Sequence, residues 1–421
     1  MQNRNEAVRD VPHWHRGPSA FLRRVRVDAL RGLSERAEAD INALRQDMLK
    51  PHPRKNPPVF YGAQVAELCG IDPKQVTYYA RRGDLPAGEV VGSRRMFTLQ
   101  QARQWIAALA GYSPRPPGAR AAVISCVSYQ GGSSKTTTAF NLAQGLTLRG
   151  RRVLLVDLDP QASATTLTGM LPAAEVLDEH TIAPLTYPPL DEAPKDLRYA
   201  VQPTYWDGLD LIPAAPHLFN AEILLPIHSR DIRIEWWTIL ARALEPLKAD
   251  YDVVIFDTAP ALSYLAINAV IASDGLLMPV PPDNLDYVSS VSFWSMLSET
   301  LYGLAANRKF EKSFAFVRVL LSRVDPSESN QLIKQWIAQT YAGFMAPVEI
   351  PRSSVNTVGA VQFQSVYDIT RYDGDRRTYG KVRSAFDGLV AHIDELIATT
   401  VWSQASVAAE KAGLAKPRQR S

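Results

Sequence analysis

The chain has 421 residues, enough for two or three domains that each bury a hydrophobic core. Its composition, with 46% hydrophobic and 21% charged residues, is typical of an ordinary soluble protein. No apolar run reaches the roughly 18 residues of a membrane span, and the first ten residues lack the apolar core of a signal peptide. The two cysteines, Cys69 and Cys126, are far apart in the sequence and lie in apolar surroundings. We therefore expect a cytoplasmic protein with buried thiols and no disulfide framework.

Charge is distributed unevenly along the chain. Residues 1–120 carry 20 Lys and Arg against 11 Asp and Glu, a balance of +9, whereas the remaining residues carry 26 against 32, a balance of −6. A basic N-terminal part on an acidic body indicates a nucleic-acid contact in that part. On charge alone, a solvated basic surface without a partner is the alternative.

Residues 19–50 predict a single amphipathic helix. Apolar side chains recur at helical spacing between charged ones, from Phe21, Leu22 and Val25 to Met48. A lone helix of this kind needs a surface to pack on, either in another copy of the chain or in the next domain. Prolines at positions 51, 53, 57 and 58 then break the chain into a linker.

Residues 51–111 predict a small DNA-binding domain. A short helix ends at Gly70, a second begins with Asp72 as its N-cap and stops at Gly83, and two β-prone runs flank Gly92. The pattern resembles the winged helix of MerR-like regulators, and a helical hairpin without a ligand is the alternative. The candidate DNA contacts lie on the second helix and the wing: Lys74, Gln75, Thr77, Tyr78, Arg81, Arg82, Arg94 and Arg95.

After a Pro-rich linker at residues 112–120, expected to act as a hinge, the body alternates apolar strands with helical patterns. This order predicts an α/β fold with a mostly parallel, doubly wound sheet over residues 121–400. Residues 171–208 predict a loop with short helices, residues 382–397 a last amphipathic helix, and residues 401–421 a tail. The predicted strands are Ala122–Val127, Val153–Asp157, Leu209–Ile212, Val253–Asp257, Gly275–Val280 and Phe316–Ser322.

The loop between the first strand and helix of this body predicts a phosphate cradle. It reads QGGSSKTTT, and Gly131 and Gly132 allow the backbone to approach an anion closely. A helix N-terminus offers free N–H groups and a positive dipole, while Lys135 can reach the β- and γ-phosphates and Thr136 can hold Mg²⁺. Taken alone, the loop could also be an ordinary strand-to-helix turn. The candidate nucleotide contacts are Gly131, Gly132, Ser133, Ser134, Lys135, Thr136 and Thr137.

Two further strands end in acidic residues. VLLVDLDPQAS carries Asp157 and Asp159, and YDVVIFDTAP carries Asp257. Ligands of open α/β sheets bind outside the carboxyl ends of the strands, so these acids are expected beside the phosphate loop. For Asp257, capping of a turn at the strand end is the alternative.

The three motifs together resemble those of ParA-type DNA partition ATPases, a P-loop NTPase family with a deviant Walker A loop. The resemblance covers roughly residues 120–400. It implies ATP and Mg²⁺ as cofactors, with Asp257 holding the metal through water, Asp157 near the metal, and Asp159 orienting the attacking water. It also implies a homodimer, through the N-terminal helix in longer members, and a ParB-type centromere-binding partner.

The resemblance further implies contacts with DNA. Longer members bind operator DNA through the winged helix and repress their own operon, and the ATP-bound dimer binds non-specific DNA through basic residues late in the body. The candidates for the second contact are Arg352, Arg376, Arg377, Lys381 and Arg383, although acidic neighbours make a plain solvated face an equal alternative.

Position 130 departs from the family pattern. ParA-like ATPases carry there a lysine that reaches the partner's phosphates across a nucleotide-sandwiched dimer, and this chain carries Gln130. Because a cation supplied in trans can be worth about 10³–10⁵ in rate, we expect ATP binding through Lys135 with weak hydrolysis, unless another basic residue substitutes.

Gln130 leaves two functions open: a partition ATPase, or a transcriptional repressor that uses ATP as a conformational ligand. A membrane-bound MinD-like ATPase is disfavoured because residues 394–415 hold few cations. An iron–sulfur carrier is disfavoured because Cys126 stands alone in the body.

Overall fold

The computed structural model describes residues 27–49, 55–187, 193–228, 235–308, 310–353, 355, 363–369 and 374–403. The chain divides into two compact units, residues 1–53 and 54–421. In the first unit the described part is one helix, α1 (Val27–Leu49), inside the range predicted for it. Its apolar side chains at Leu30, Leu33 and Ile41 are more than half exposed. The predicted positions Phe21, Leu22 and Val25 lie outside the described residues.

The second unit begins with a small domain of three helices on a three-stranded sheet. The sheet order is β1–β3–β2, and both pairings are antiparallel. The first two helices and the hairpin lie where the sequence predicted them, and the first strand and the third helix were not predicted. The elements are β1 (Val59–Tyr61), α2 (Gly62–Cys69), α3 (Pro73–Arg82), β2 (Glu89–Val91), β3 (Arg94–Thr98) and α4 (Leu99–Leu109).

Local signals in the sequence fix both ends of α3. Asp72 caps its N-terminus by accepting a hydrogen bond from the backbone N–H of Lys74 at 2.7 Å, and Gln75 reaches back to the N–H of Asp72. Gly83 ends the helix with φ of 79°, a left-handed conformation that glycine adopts without steric cost.

The body is built on an eight-stranded sheet with the order β11–β10–β9–β4–β8–β5–β7–β6. All neighbours are parallel except β6 and β7, which confirms the predicted mostly parallel fold. The strands are β4 (Ala122–Cys126), β5 (Val153–Asp157), β6 (Gln202–Pro203), β7 (Leu209–Ile212), β8 (Val253–Asp257), β9 (Gly275–Val280), β10 (Phe316–Val324) and β11 (Met345–Pro351).

The two edge strands were missed from the sequence. β6 has two residues, and β11 contains two prolines and a mixture of polar and apolar residues. Prolines are tolerated at a sheet edge because fewer backbone N–H groups must pair there. The apolar runs that identified the central strands are therefore absent from the edges.

Helices cover both faces of this sheet. Those of the body are α5 (Lys135–Thr147), α6 (Ser163–Leu167), α7 (Pro172–Glu175), α8 (Phe219–His228), α9 (Ile239–Leu244), α10 (Tyr264–Ala272), α11 (Asn284–Arg308), α12 (Glu328–Thr340) and α13 (Arg376–Leu396). Within the described parts of residues 171–208, short helical turns lie at residues 172–175, 178–180, 183–186 and 198–200, as predicted. α13 begins six residues before its prediction because Asp375 caps it, accepting from the N–H groups of Arg377 and Thr378. None of the helices in the described part is both long and apolar enough to span a bilayer.

The small domain and the body share one hydrophobic core. Phe97 and Trp105 of the small domain belong to the same buried cluster as Leu146 and Trp206 of the body. The linker between them, expected as a hinge, is also held: the Arg115 guanidinium donates to three backbone carbonyls of residues 248–251. Cys69 and Cys126 are buried free thiols, as predicted.

Candidate nucleotide-binding site

The phosphate loop connects the end of β4 to the first residue of α5, in the centre of the sheet. Gly132 has φ of 78°, and Ser134 has φ of 74°. Ser134 stands where the general P-loop carries its last glycine, so a non-glycine residue adopts the left-handed conformation here, which costs roughly 1–2 kcal/mol. Backbone strain of this kind concentrates at ligand sites, where the surrounding structure holds it in place.

Lys135 is almost completely buried at the start of α5. Its ammonium donates to the Ser128 hydroxyl at 2.9 Å and to the Gln130 carbonyl at 3.3 Å. Burial lowers the pKa of Lys135, and the carboxylates of Asp257 and Asp159 oppose that shift. The charge therefore lies inside the loop, where it can contact a phosphate chain.

Asp257, at the carboxyl end of β8, has both carboxylate oxygens buried without a hydrogen-bond partner among the described residues. Burial raises the pKa of Asp257 well above its ordinary value and the nearby Asp157 adds to the shift, whereas the Thr136 hydroxyl and the Lys135 ammonium oppose it. A buried carboxylate without donors is unfavourable unless a cation reaches it. With the adjacent Thr136 hydroxyl it forms a donor set of the kind that Mg²⁺ prefers.

Asp157, at the end of β5, is equally buried but fully hydrogen-bonded. One oxygen accepts from the backbone N–H and the hydroxyl of Thr165, at 2.9 and 2.8 Å, and the other accepts from the N–H of Asp159 at 3.1 Å. Burial nevertheless raises the pKa of Asp157 to about 7. Because its oxygens already have donors, this residue fixes the turn after β5, and its place near a metal stays a prediction.

Asp159 lies in that turn, as predicted from the following Pro160. Its carboxylate accepts from the N–H of Gln161 at 2.9 Å and lines the cavity above the phosphate loop. The cavity has a volume of about 720 Å³, which suits a nucleotide. Its lining includes the loop residues Gly131, Gly132, Ser134, Lys135, Thr136 and Thr137, together with Ser163, Thr166, Leu167, Pro260, Arg323, Pro351, Arg352 and Phe363.

The described parts of the chain hold no cluster of three or more His, Cys, Asp or Glu side chains arranged for a metal ion. Mg²⁺ in phosphoryl-transfer sites is usually held by one or two carboxylates together with substrate phosphates. Thr136 and Asp257 fit that arrangement.

Two predicted loop residues lie outside the cavity lining. The Ser133 hydroxyl is buried against the Ser128 hydroxyl at 2.6 Å, so Ser133 contributes to the loop's interior. Gln130 is exposed and uses its carbonyl to accept from Ser128 and Lys135.

Two residues at the end of β10, Ser322 and Arg323, hold the phosphate loop through hydrogen bonds that the sequence did not predict; we call this pair of contacts the brace. The Ser322 hydroxyl donates to the Ser133 carbonyl at 3.1 Å, and the Arg323 guanidinium donates to the Gly132 carbonyl at 3.0 Å. Arg323 has φ of 55°, and the pairing of β10 with β11 shifts register between Leu321 and Val324. Bulges re-aim side chains, and no local sequence signal marks this one.

The helix α3 presents the predicted DNA-binding residues to solvent. The side chains of Lys74, Thr77 and Arg81 are exposed, and the structure gives them no partner among the residues it describes. Tyr78 is exposed and accepts a hydrogen bond from Arg82 at 3.0 Å.

The other candidates of this domain have intramolecular partners. Gln75 belongs to the capping box of α3, and Arg82 pairs with Asp84 at 2.8 Å. Arg95 donates to the Ala87 carbonyl, and Arg94 lies over the ring of Tyr61 at 5.5 Å. Lys74, Thr77 and Arg81 are therefore the side chains most available for a ligand.

The late basic residues fall into two groups. Arg376, Arg377 and Lys381 are exposed on the first turns of α13. Arg352 instead lines the nucleotide cavity and lies 3.5 Å from Asp325. Arg383 pairs with Asp387 at 3.1 Å. The five candidates for non-specific DNA binding are thus not one patch.

Comparison with known proteins assigns the family. Residues 121–299 match the model of an AAA domain. A relative from Sinorhizobium fredii, named as a replication protein A, is 30% identical over 379 residues, which covers 85% of this chain and 90% of the relative. Protein SopA of Escherichia coli K12 is 31% identical over 276 residues, covering 64% of this chain and 69% of SopA. The chain belongs to the ParA-type partition protein family.

A further relative is the sporulation initiation inhibitor protein Soj of Bacillus subtilis, 39% identical over 160 residues, or 38% of this chain and 57% of Soj. Among solved structures, one described as a partition protein covers 89% of this chain and 98% of its own, with a TM-score of 0.59 at 19% identity. An ATP complex of McdA from Cyanothece has a TM-score of 0.51 at 20% identity, covering 72% of this chain and 100% of its own. These two share the fold of the family.

Proposed function

We propose that the chain binds ATP with Mg²⁺, hydrolyses it to ADP and phosphate, and thereby partitions plasmid or chromosomal DNA. The observation that carries the proposal is the buried Asp257 carboxylate beside Lys135 and Thr136, whose oxygens have no hydrogen-bond partner in the described part of the chain. A bound cation favours the charged form of a buried carboxyl group whose pKa is raised, and MgATP would bring such a cation to the phosphate loop. The family membership supports ATP hydrolysis as the activity.

In this proposal the phosphates lie over the N-terminus of α5, and Lys135 contacts the β- and γ-phosphates. Thr136 and Asp257 would hold Mg²⁺, which neutralises phosphate charge when bound. Asp159, on the cavity wall, orients the attacking water in line with the bond that breaks. Phosphoryl transfer needs such positioning and charge neutralisation, and little covalent chemistry from the protein.

The proposal includes a homodimer and a ParB-type partner that stimulates hydrolysis. The relatives SopA and Soj support membership of a partition system. The exposed apolar side chains of α1 support dimerisation through that helix. The exposed Gln130 side chain supports slow hydrolysis in the absence of a partner, because it carries no charge to a second active site.

The proposal also includes two DNA contacts. The exposed α3 face with Lys74, Thr77 and Arg81 supports operator binding and autorepression. The exposed Arg376, Arg377 and Lys381 support non-specific binding through phosphates.

A transcriptional repressor that binds ATP but does not turn it over is the second candidate. Gln130 favours this candidate because it carries no charge to a second active site. The core shared by the small domain and the body also favours it, because a conformational change in the body on ATP binding can then alter the position of α3.

One experiment separates the two candidates. ATP turnover is measured with Mg²⁺ and double-stranded DNA, with and without the centromere-binding protein of the same operon, for the wild type and for Lys135→Ala. If the partner stimulates turnover in the wild type and not in Lys135→Ala, the result supports the partition ATPase. Tight ATP binding without turnover under every condition would leave the repressor.

A further inference from the structure

Lys55 is a buried cation whose side chain contacts the ATPase body, although the residue precedes the small domain in the sequence. It lies four residues before β1 and well before residue 121, where the match to the AAA domain begins. Its side chain is 8% exposed, and that of its partner Asp368 is 4% exposed. Burying an ammonium is costly unless it is paired and hydrogen-bonded, so the contacts of Lys55 must compensate.

Those contacts surround the ammonium on several sides. It donates to Asp368 at 2.7 Å and to the backbone carbonyl of Leu167 at 3.0 Å. It lies over the ring of Tyr205 at 4.4 Å and near the ring of Phe140, in α5, at 5.5 Å. Burial lowers the pKa of Lys55, and Asp368 opposes that shift.

The Leu167 carbonyl connects Lys55 to the nucleotide cavity. Leu167 is the last residue of α6 and lines the cavity. The same short helix holds Thr165, which donates twice to Asp157, and Asp157 accepts from the N–H of Asp159. A five-residue helix therefore has the acid loop at one end and Lys55 at the other.

A second contact confirms how closely the two segments pack. Gly169, two residues after α6, has φ of 89°, and a Cβ placed there would lie 3.2 Å from the Lys55 Cβ. The segment after α6 and the entrance to the small domain are therefore in close contact.

We propose that Lys55 is a positioning residue for the Asp159 loop, supplied by the segment that leads into the small domain. This inference rests on the proposed nucleotide binding. When a nucleotide displaces the Asp159 turn, α6 carries the Leu167 carbonyl with it, and Lys55 must follow or lose one of its two hydrogen-bond acceptors. The ATPase site and the small domain thereby share one buried contact.

Arg103 provides a matched control. It also joins the small domain to the body, through Asp207 and through the carbonyls of Thr147 and Arg151 at 3.1 and 3.0 Å. These acceptors do not line the cavity. Lys55→Met and Arg103→Met each remove one interdomain cation, and only the first removes a contact with α6.

The test is hydrogen–deuterium exchange of the full chain with and without MgATP, together with a fluorescent ATP analogue for affinity. In the wild type and in Arg103→Met, MgATP should slow exchange both in residues 163–170 and in residues 55–62. In Lys55→Met the effect at residues 55–62 should vanish, with ATP affinity within about threefold and turnover lower by about tenfold or more.

Three results would overturn the inference. The wild type could bind ATP without any change in residues 55–62, or Lys55→Met could transmit the change undiminished, or Arg103→Met could lose turnover as strongly as Lys55→Met. The first result requires only the wild type, so the inference can be contradicted even if a variant fails to fold. A wild type that binds no nucleotide would overturn the proposed function as well, which separates the two failures.

Discussion

Asp157 and Asp257 lie side by side at the carboxyl ends of β5 and β8, in direct register. Asp157 accepts three hydrogen bonds, whereas the Asp257 oxygens have no partner at hydrogen-bond geometry among the residues that the structure describes. Both side chains are completely buried. Two carboxylates so placed cannot both be charged without compensation. The two residues therefore have different roles. Asp157 fixes the turn that carries Asp159, and Asp257 is available to bind a cation.

The first prediction concerns this difference in roles. Asp257→Asn should raise the melting temperature of the ligand-free protein, because it removes a carboxyl group whose burial costs free energy either as a charge or through uptake of a proton. It should also weaken Mg²⁺-dependent ATP binding by more than about tenfold. Asp157→Asn is the comparison: it keeps one acceptor oxygen, but its NH2 group must face the N–H of Asp159 or that of Thr165, so it should lower the free energy of unfolding by about 1–3 kcal/mol. Thermal unfolding with and without MgATP measures both effects, and a lowered melting temperature in Asp257→Asn would contradict the assignment.

The second prediction is a pH dependence. The pKa of Asp157 is raised to about 7 and that of Asp257 is raised further above the ordinary carboxyl value. The folded chain then binds more protons than the unfolded chain, so these groups make the free energy of unfolding fall as pH rises from the ordinary carboxyl pKa towards 7 and above. The ligand-free wild type should therefore lose more stability between pH 5.5 and pH 8 than Asp257→Asn does. Equal losses in urea titrations at the two pH values would count against the raised pKa of Asp257.

The third prediction concerns position 130. Gln130→Lys should raise ATP turnover by at least about tenfold, because it restores a charge that can act across a dimer. Gln130→Met, which also lacks the charge, is the control and should stay at the wild-type rate. A steady-state phosphate-release assay with DNA present would show no gain in Gln130→Lys if another basic residue already substitutes.

The fourth prediction concerns Arg323. Arg323→Asn removes the brace on the Gly132 carbonyl but keeps a residue that tolerates the positive φ. It should fold normally and bind ATP and ADP about tenfold more weakly, since both depend on the loop. Arg323→Lys retains a donor and should lose less. Fluorescent-nucleotide titration measures these affinities. An unchanged affinity in Arg323→Asn would mean that the Arg323 hydrogen bond does not contribute to nucleotide binding.

The fifth prediction compares neighbouring arginines on α3. Arg81→Ala should weaken binding to the DNA upstream of the chain's own gene, because the exposed Arg81 guanidinium has no partner among the described residues and can reach a phosphate. It should also reduce the slope of log affinity against log salt concentration by about 1. Arg82→Ala should have a smaller effect, because Arg82 already pairs with Asp84 and Tyr78. Fluorescence anisotropy at several salt concentrations gives both quantities, and a larger effect for Arg82 would reverse the assignment.

The sequence by itself determined the six inner strands of the body and their order along the chain, the phosphate loop, and the ends of α3. These features depend on local rules: buried parallel strands are continuous apolar runs, glycines mark the loop, and Asp72 and Gly83 cap a helix. The tertiary structure alone decided that Asp157 is satisfied while Asp257 is not, that Arg323 braces Gly132, and that Lys55 reaches Leu167. Each of these depends on residues far apart in the chain, and hydrogen-bond partners across such distances are set by how the elements pack, which no local pattern encodes.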